Sequence, residues 1–197
     1  YNFAGWYTNT SGTGGTAFSV GAGYSTASAL TLYAQWSGAT YTVTYNANGG
    51  SGSVPSAGSF VTGSAFTVST NSGPLAKTGY TFAGWNTSAD GFGTNVAESA
   101  NDFTTTSNVT LYAKWTIISP KVLFNKGTAT SVTLPANTSA NYGSLYTLPA
   151  TDTSTVISSV NYAFTGWSDG TNTYQAGSSY RIGSSDVTFT AQWIAIY

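Results

Sequence analysis

Every tryptophan of this 197-residue chain lies in one of two strings that recur along it. Phe3-Ala4-Gly5-Trp6 returns as Phe82-Ala83-Gly84-Trp85 and as Phe164-Thr165-Gly166-Trp167, at offsets of 79 and 82 residues. Leu32-Tyr33-Ala34-Gln35-Trp36 returns as Leu111-Tyr112-Ala113-Lys114-Trp115 and as Phe189-Thr190-Ala191-Gln192-Trp193, at offsets of 79 and 78. A weaker echo, 79 residues apart, links Val43-Thr44-Tyr45-Asn46 with Val122-Leu123-Phe124-Asn125. A fixed period of this kind marks tandem supersecondary units, each too small to bury its hydrophobic face in isolation. The chain therefore reads as a partial repeat over 1–38, a full repeat over 39–117 and a full, more divergent repeat over 118–197. Tyr1 aligns with Tyr80 and Tyr162, both mid-repeat, so the first unit lacks its opening strand. Both ends are expected to be cuts through a longer array.

Within a unit of about 78 residues the periodicity is that of β-structure. Tyr41, Val43 and Tyr45 alternate with Thr42 and Thr44, which is the period of a half-buried strand. Asn48-Gly49-Gly50 then supplies residues that tolerate the left-handed region of a tight turn. Further strands are expected over Phe60 to Ser69 (broken at Thr62-Gly63-Ser64), Tyr80 to Asn86 and Asn108 to Thr116, with Tyr142 to Pro149 as a strand region of the last unit. A Gly-rich turn runs from Ser88 to Asn95. Helical signals are poor: Val96 to Asp102 and Gly73 to Lys77 could each hold a single turn, the latter with Pro74 in its first turn. The expected class is mainly β, with a small α+β module as the alternative.

The aromatic strings are expected to be core. In the strand from Val109, one face carries Val109, Leu111, Ala113 and Trp115, and the other Thr110, Tyr112 and Lys114. Burying each large apolar side chain contributes roughly 1.5–3 kcal/mol. A sugar-stacking platform is the functional alternative. The strand from Tyr80 is harder to place, because Tyr80 and Phe82 share one parity and Trp85 has the other. Strict alternation would put aromatics on both faces, so the second face should be covered by a loop or a neighbouring repeat, with part of this surface making contacts between repeats or between chains.

Composition removes most chemistry. With no His and no Cys there is no imidazole base, no thiolate and no zinc or iron site of the usual type. The basic residues are Lys77, Lys114, Lys121, Lys126 and Arg181, too few and too scattered for a nucleic-acid surface. No apolar run approaches the roughly 20 residues of a membrane-spanning helix. The only carboxylates are Asp90, Glu98, Asp102, Asp152, Asp169 and Asp186. Asp90 and Asp169 fall in corresponding Gly-rich turns, which suggests turn capping and not general acid–base work. No catalytic, metal-binding or cofactor-binding residues are assigned. A Lys–Asn crosslink and a calcium loop over Asp90 to Asn95 are minor alternatives. Charged residues make up 6% of the chain against about 25% in an average soluble protein. A surface so poor in charge promotes association.

A strand ending in Asn48-Gly49-Gly50, then Gly79-Tyr80-Thr81-Phe82-Ala83-Gly84-Trp85, then Leu111 to Trp115, resembles the Listeria–Bacteroides repeat family, also called the internalin B-repeat. The resemblance covers nearly the whole chain. It is weakest in the last unit, where Phe189-Thr190-Ala191 replaces Leu-Tyr-Ala and Asn125-Lys126-Gly127 replaces the Asn-Gly-Gly turn. It implies a β-grasp-like or related module, found in tandem in large bacterial cell-surface proteins and regarded as a non-enzymatic spacer or interaction module. The motif residues it singles out are Phe3, Gly5, Trp6, Leu32, Trp36, Phe82, Gly84, Trp85, Leu111, Trp115, Phe164, Gly166, Trp167, Phe189 and Trp193. The expected role is a spacer or stalk of an adhesin, outside the cell or on a bacterial surface. A self-assembling filament, sheath or surface layer is the first alternative. A module that binds a glycan or a host protein is the second. The expected partners are neighbouring repeats and copies of the chain, or such a ligand, with no nucleic acid and no membrane insertion.

Overall fold

The computed structural model describes residues 1–25 and 28–197. The chain divides into two compact units, one comprising Tyr1–Leu75 with Gly84–Lys114 and the other Ala76–Ala83 with Trp115–Tyr197. No α-helix occurs among the described residues, so the structure is β throughout and the α+β alternative is set aside. Neither expected helical turn forms. Val96 ends a strand and Ser99 sits at φ 58° in the turn that follows, while Gly73 to Lys77 is extended loop and bridge. In that loop the Asn71 side chain accepts from the Leu75 amide and so closes the turn without helical bonds.

Strands β1 (Asn2–Tyr7), β2 (Ala17–Phe18) and β3 (Tyr33–Ser37), all in the first unit, form a sheet of order β2-β1-β3. Strands β4 (Thr40–Asn46), β5 (Gly58–Val61), β6 (Tyr80–Asn86), β7 (Asn95–Val96) and β8 (Val109–Ile117) form a second, of order β5-β4-β8-β6-β7, in which Tyr80–Ala83 of β6 and the end of β8 from Trp115 count with the second unit. The pair β4 and β8 is parallel, with Val43 opposite Val109 and Tyr45 opposite Leu111. The alternation read from the sequence is what this face buries: Val43, Tyr45, Leu111 and Ala113 are buried, while Thr44 is exposed.

In the second unit, the strands are β9 (Lys121–Asn125), β10 (Thr138–Ser139), β11 (Leu145–Thr147), β12 (Ser154–Ile157), β13 (Val160–Ser168), β14 (Thr173–Tyr174), β15 (Ser179–Arg181) and β16 (Val187–Ile196). The main sheet runs β10-β9-β16-β13-β12, with β14 on β13, and β9 lies parallel to β16. Its core is Val122, Phe124, Leu148, Trp167, Ile182, Phe189 and Ala191. The edge strand β12 has no counterpart in the sequence reading. It joins β13 through Ser158 and Ser159, both at positive φ (50° and 68°), the conformation of a tight hairpin turn that Asn-Gly would have advertised. The strand expected over Phe60 to Ser69 is regular only to Val61; beyond the turn, Phe66 makes an isolated bridge with Phe103.

The turn after the opening strand shows why the last unit can diverge without changing shape. The Asn46 side chain accepts from the Asn48 amide at 2.8 Å, and Asn125 accepts from Gly127 at 2.9 Å. Asn48 and Gly127 both adopt positive φ, at 48° and 65°. Asn and Gly are the two residues that enter this region at least cost, so one replaces the other.

Candidate functional site

The recurring strings converge on one construction, clearest in the second unit. Between β13 and β16, Phe164 pairs with Trp193 and Gly166 with Gln192, so Thr165 is skipped and a bulge forms. Beyond the bulge the parity is reversed. Phe164 and Trp167, three residues apart, therefore meet edge to face at 5.2 Å, and Phe164 meets Trp193 at 5.5 Å. In the first unit β1 and β3 repeat the bulge between Phe3 and Gly5, with Phe3–Trp6 at 5.5 Å and Phe3–Trp36 at 5.4 Å. In these two strands the motif aromatics therefore share one face, because a bulge inserts one residue and turns the strand over. Strict alternation cannot reveal such a flip.

The motif glycine is required there. Gly5, Gly84 and Gly166 lie at φ 128°, 97° and 142°. A Cβ on Gly166 would stand 2.4 Å from the Tyr174 carbonyl oxygen, and one on Gly84 would stand 3.1 Å from that of Val96. At Gly166 the neighbouring hairpin strand leaves no room for a side chain, and at Gly84 the fit is tight.

Both tryptophans of a repeat depend on its opening half. Trp85 and Trp167 have no exposed surface, and each is capped by an aromatic ring from the opening strand: Tyr45 at 4.7 Å and Phe124 at 4.9 Å. Their indole N–H groups donate to backbone carbonyls of the same half, Ser69 at 3.0 Å and Pro149 at 2.8 Å. Trp193 donates to the Lys126 carbonyl at 2.9 Å. Leu111 and Phe189 are fully buried opposite the parallel strand, and Phe82 meets Trp115 at 5.7 Å. Trp85 and Trp167 thus offer no face for a sugar to stack on. In the N-terminal unit, Trp6 is 39% and Trp36 61% exposed, and Leu32 is half-exposed.

The ring pairs described here join residues of the same repeat. An aromatic contact that does cross repeats involves Tyr142. Tyr142 lies over the buried Gly79, where a Cβ would fall within 1.9–2.4 Å of the ring.

Five of the six carboxylates accept from backbone amides. Asp90 takes the Phe92 amide and the Ser88 hydroxyl, and Asp169 takes the amides of Thr171 and Asn172 and the Tyr174 hydroxyl. These bonds hold both below the usual carboxylate range, chiefly through Ser88 for Asp90 and through Asn172 for Asp169. Asp152 accepts from Thr133, Asp186 from Lys121 and Glu98 from Asn71. Such carboxylates close loops. No cluster of three or more candidate metal-ligating side chains occurs among the described residues. Lys114 Nζ donates to Asn95 Oδ1 at 2.8 Å, but Lys114 is only half-buried and Asn95 is exposed, whereas a Lys–Asn crosslink needs a buried lysine.

Sequence reasoning missed Asn86. This buried side chain donates to the carbonyls of Gly91 and Gly93 and to Asn95, and accepts from the Ser88 amide, so it organises the whole Gly-rich turn. Its place directly after the tryptophan and before the glycines was the available signal.

Comparison with known proteins agrees with this construction. The Listeria-Bacteroides repeat domain matches the chain three times, over residues 1–35, 41–114 and 121–192. Two proteins of Evansella cellulosilytica are also similar. One, provisionally named a Gly-rich membrane protein, is 35% identical over 162 residues, which is 78% of this chain and 18% of that protein. The other, provisionally named a membrane protein, is 31% identical over 171 residues, 83% of this chain and 24% of that protein. The chain thus spans less than a quarter of the length of either relative. No helix among the described residues is long and apolar enough to cross a membrane. No solved structure matches the chain. With three matches that together cover nearly all of it, the chain belongs to the Listeria-Bacteroides repeat domain family.

Proposed function

We propose that this chain is a non-enzymatic spacer or stalk within a large cell-surface protein, acting outside the cell to hold an adhesive region away from the surface. Residues 1–38, 39–117 and 118–197 are its modules. The observation that carries this reading is the same packed β module built twice: a motif tryptophan with no exposed surface lies under the aromatic ring of a parallel opening strand, Trp85 under Tyr45 and Trp167 under Phe124. Repetition of one self-packed unit suits a spacer. The names of the relatives favour a surface or membrane-associated setting, and the loop-closing roles of the carboxylates favour a mechanical role over a chemical one.

Single-molecule pulling tests it. Two unfolding events are expected, each releasing a contour length of roughly 280 Å for a unit of about 78 residues. A chain that extends smoothly at low force would be no stalk.

Self-assembly is the second reading, favoured by the 6% charge content. Light scattering across concentration separates the two: a monodisperse monomer supports the stalk, and fibres or sheets support assembly.

A further inference from the structure

Asn48 and Gly49 form the one Asn-Gly pair of the chain. In an open chain such a pair modifies itself, because glycine has no Cβ to crowd its nitrogen. The Gly49 nitrogen attacks Asn48 Cγ, a C–N bond closes a cyclic imide, and the Cγ–Nδ2 bond breaks. The nitrogen leaves as ammonia and takes the Gly49 amide proton with it. Water then opens the ring at either carbonyl. One opening gives aspartate, and the other gives isoaspartate, in which the main chain runs through the former side chain.

The folded middle repeat holds this pair off that path. Asn48 Nδ2, the atom that must leave, donates to the Ala89 carbonyl at 2.9 Å and to the Ala113 carbonyl at 3.0 Å. The side chain thus ties the turn after β4 to the Gly-rich turn and to β8. The backbone is fixed as well, with Asn48 and Gly49 at φ 48° and 80°. The Asn48 amide donates to Asn46 Oδ1 at 2.8 Å, and the Gly50 amide to the Ala47 carbonyl at 2.9 Å. Ring closure requires Cγ to swing onto the Gly49 nitrogen, which breaks both bonds of Nδ2.

The products do not fit the closed turn. An ionised carboxylate only accepts hydrogen bonds, so an aspartate here would meet two carbonyl oxygens with no proton to offer them. One of these belongs to Ala113, which is fully buried, and a charge left unbonded there is costly. Isoaspartate lengthens the main chain inside the turn and displaces the bonds that close it. The last repeat builds the same turn without the reactive pair. Gly127 stands in place of Asn48, and a Cβ there would fall 2.4 Å from the carbonyl oxygen of Ala191, the counterpart of Ala113.

We propose that Asn48-Gly49 is a deamidation site gated by folding. It is protected while the middle repeat is closed and is converted by water when the repeat opens. Once converted, it bars the repeat from closing as before, so the module keeps a chemical record of having unfolded. This goes beyond a spacer role and does not depend on it.

The test incubates the full 197-residue chain beside a short synthetic peptide of residues 41–56 in mildly alkaline buffer. Mass spectrometry of proteolytic fragments follows the change from amide to acid at Asn48, and electron-transfer fragmentation identifies isoaspartate. Conversion in the folded chain should be slower than in the peptide by about tenfold or more, because the turn must first open. In denaturant the two rates should meet. Equal rates in native buffer, or a difference that survives full unfolding, would overturn the gating. The bar to closing is tested by melting the Asn48→Asp and Asn48→Gly chains. Both lose the amide, and only the first gains a carboxylate. Asn48→Asp should melt well below Asn48→Gly, or fail to fold where Asn48→Gly folds. Equal behaviour of the two, or the reverse order, would overturn that part of the proposal.

Discussion

The N-terminal unit and the last repeat carry the same motif residues and differ in what covers them. Trp167 is fully buried, whereas Trp6, at the same place in the same bulge, is 39% exposed. Both meet the motif phenylalanine at nearly the same distance, 5.2 and 5.5 Å. The two strands with the bulge thus fix the local geometry of the aromatic group, and the opening half removes it from water. Hydrophobic stabilisation scales with area removed from water, so identical strings carry unequal shares of stability.

The most direct way to break this comparison is to truncate both tryptophans. Trp167→Ala should destabilise its unit by about 3–5 kcal/mol, the usual cost of emptying a buried aromatic site. Trp6→Ala should cost about 1 kcal/mol, in the range of ordinary substitutions. Denaturant titration of each variant measures both, and equal costs would mean that the opening half does not bury the motif.

The motif glycines sharpen it next. Gly166→Ala places a methyl group 2.4 Å from the Tyr174 oxygen at φ 142°, and Gly5→Ala places one 3.5 Å from the Phe18 oxygen at φ 128°. The first suffers both backbone strain and collision, and the second mainly strain, which costs about 1–3 kcal/mol at such positions. Thermal melts should rank Gly166→Ala as the more damaging, and the reverse order would remove the case for close packing at the bulge.

The smallest effect is electrostatic. The Gly-rich turn of the last repeat is closed by Asp169, and at the corresponding point of the N-terminal unit Ser11 Oγ accepts from the Thr13 amide. Folding lowers the Asp169 pKa, mainly through the Asn172 amide. Its contribution is therefore complete above the ordinary aspartate range and fades as pH falls through the lower folded value. Because the side chain is only half-buried, solvent screens it and the effect is small. Acid titration of Asp169→Asn against the parent should show a shallower loss of stability for the variant, while Ser11→Ala leaves the pH dependence unchanged.

The repeat, the β class and the burial of Tyr45 and Leu111 were legible from the sequence, because period and alternation depend on residues close together in the chain. The bulge was not. It depends on a register between β13 and β16, and nothing near Gly166 in the chain states where Trp193 will stand. Strand β12 was hidden for a related reason: Ser158 and Ser159 enter the left-handed region only because the pairing of Val156 with Asn161 holds them there. Asn86 was hidden because its hydrogen-bond partners surround it only after the turn closes.

The sequence by itself determined that this is a tandem β array with a fixed allotment of aromatic residues and a surface nearly without charge, since composition and period are properties of the chain. Only the tertiary structure decided how the aromatics on either side of a bulge come to share one face and which distant strand caps the motif tryptophan, as Phe124 caps Trp167. Both depend on registers between strands far apart in the chain, and no local pattern records them.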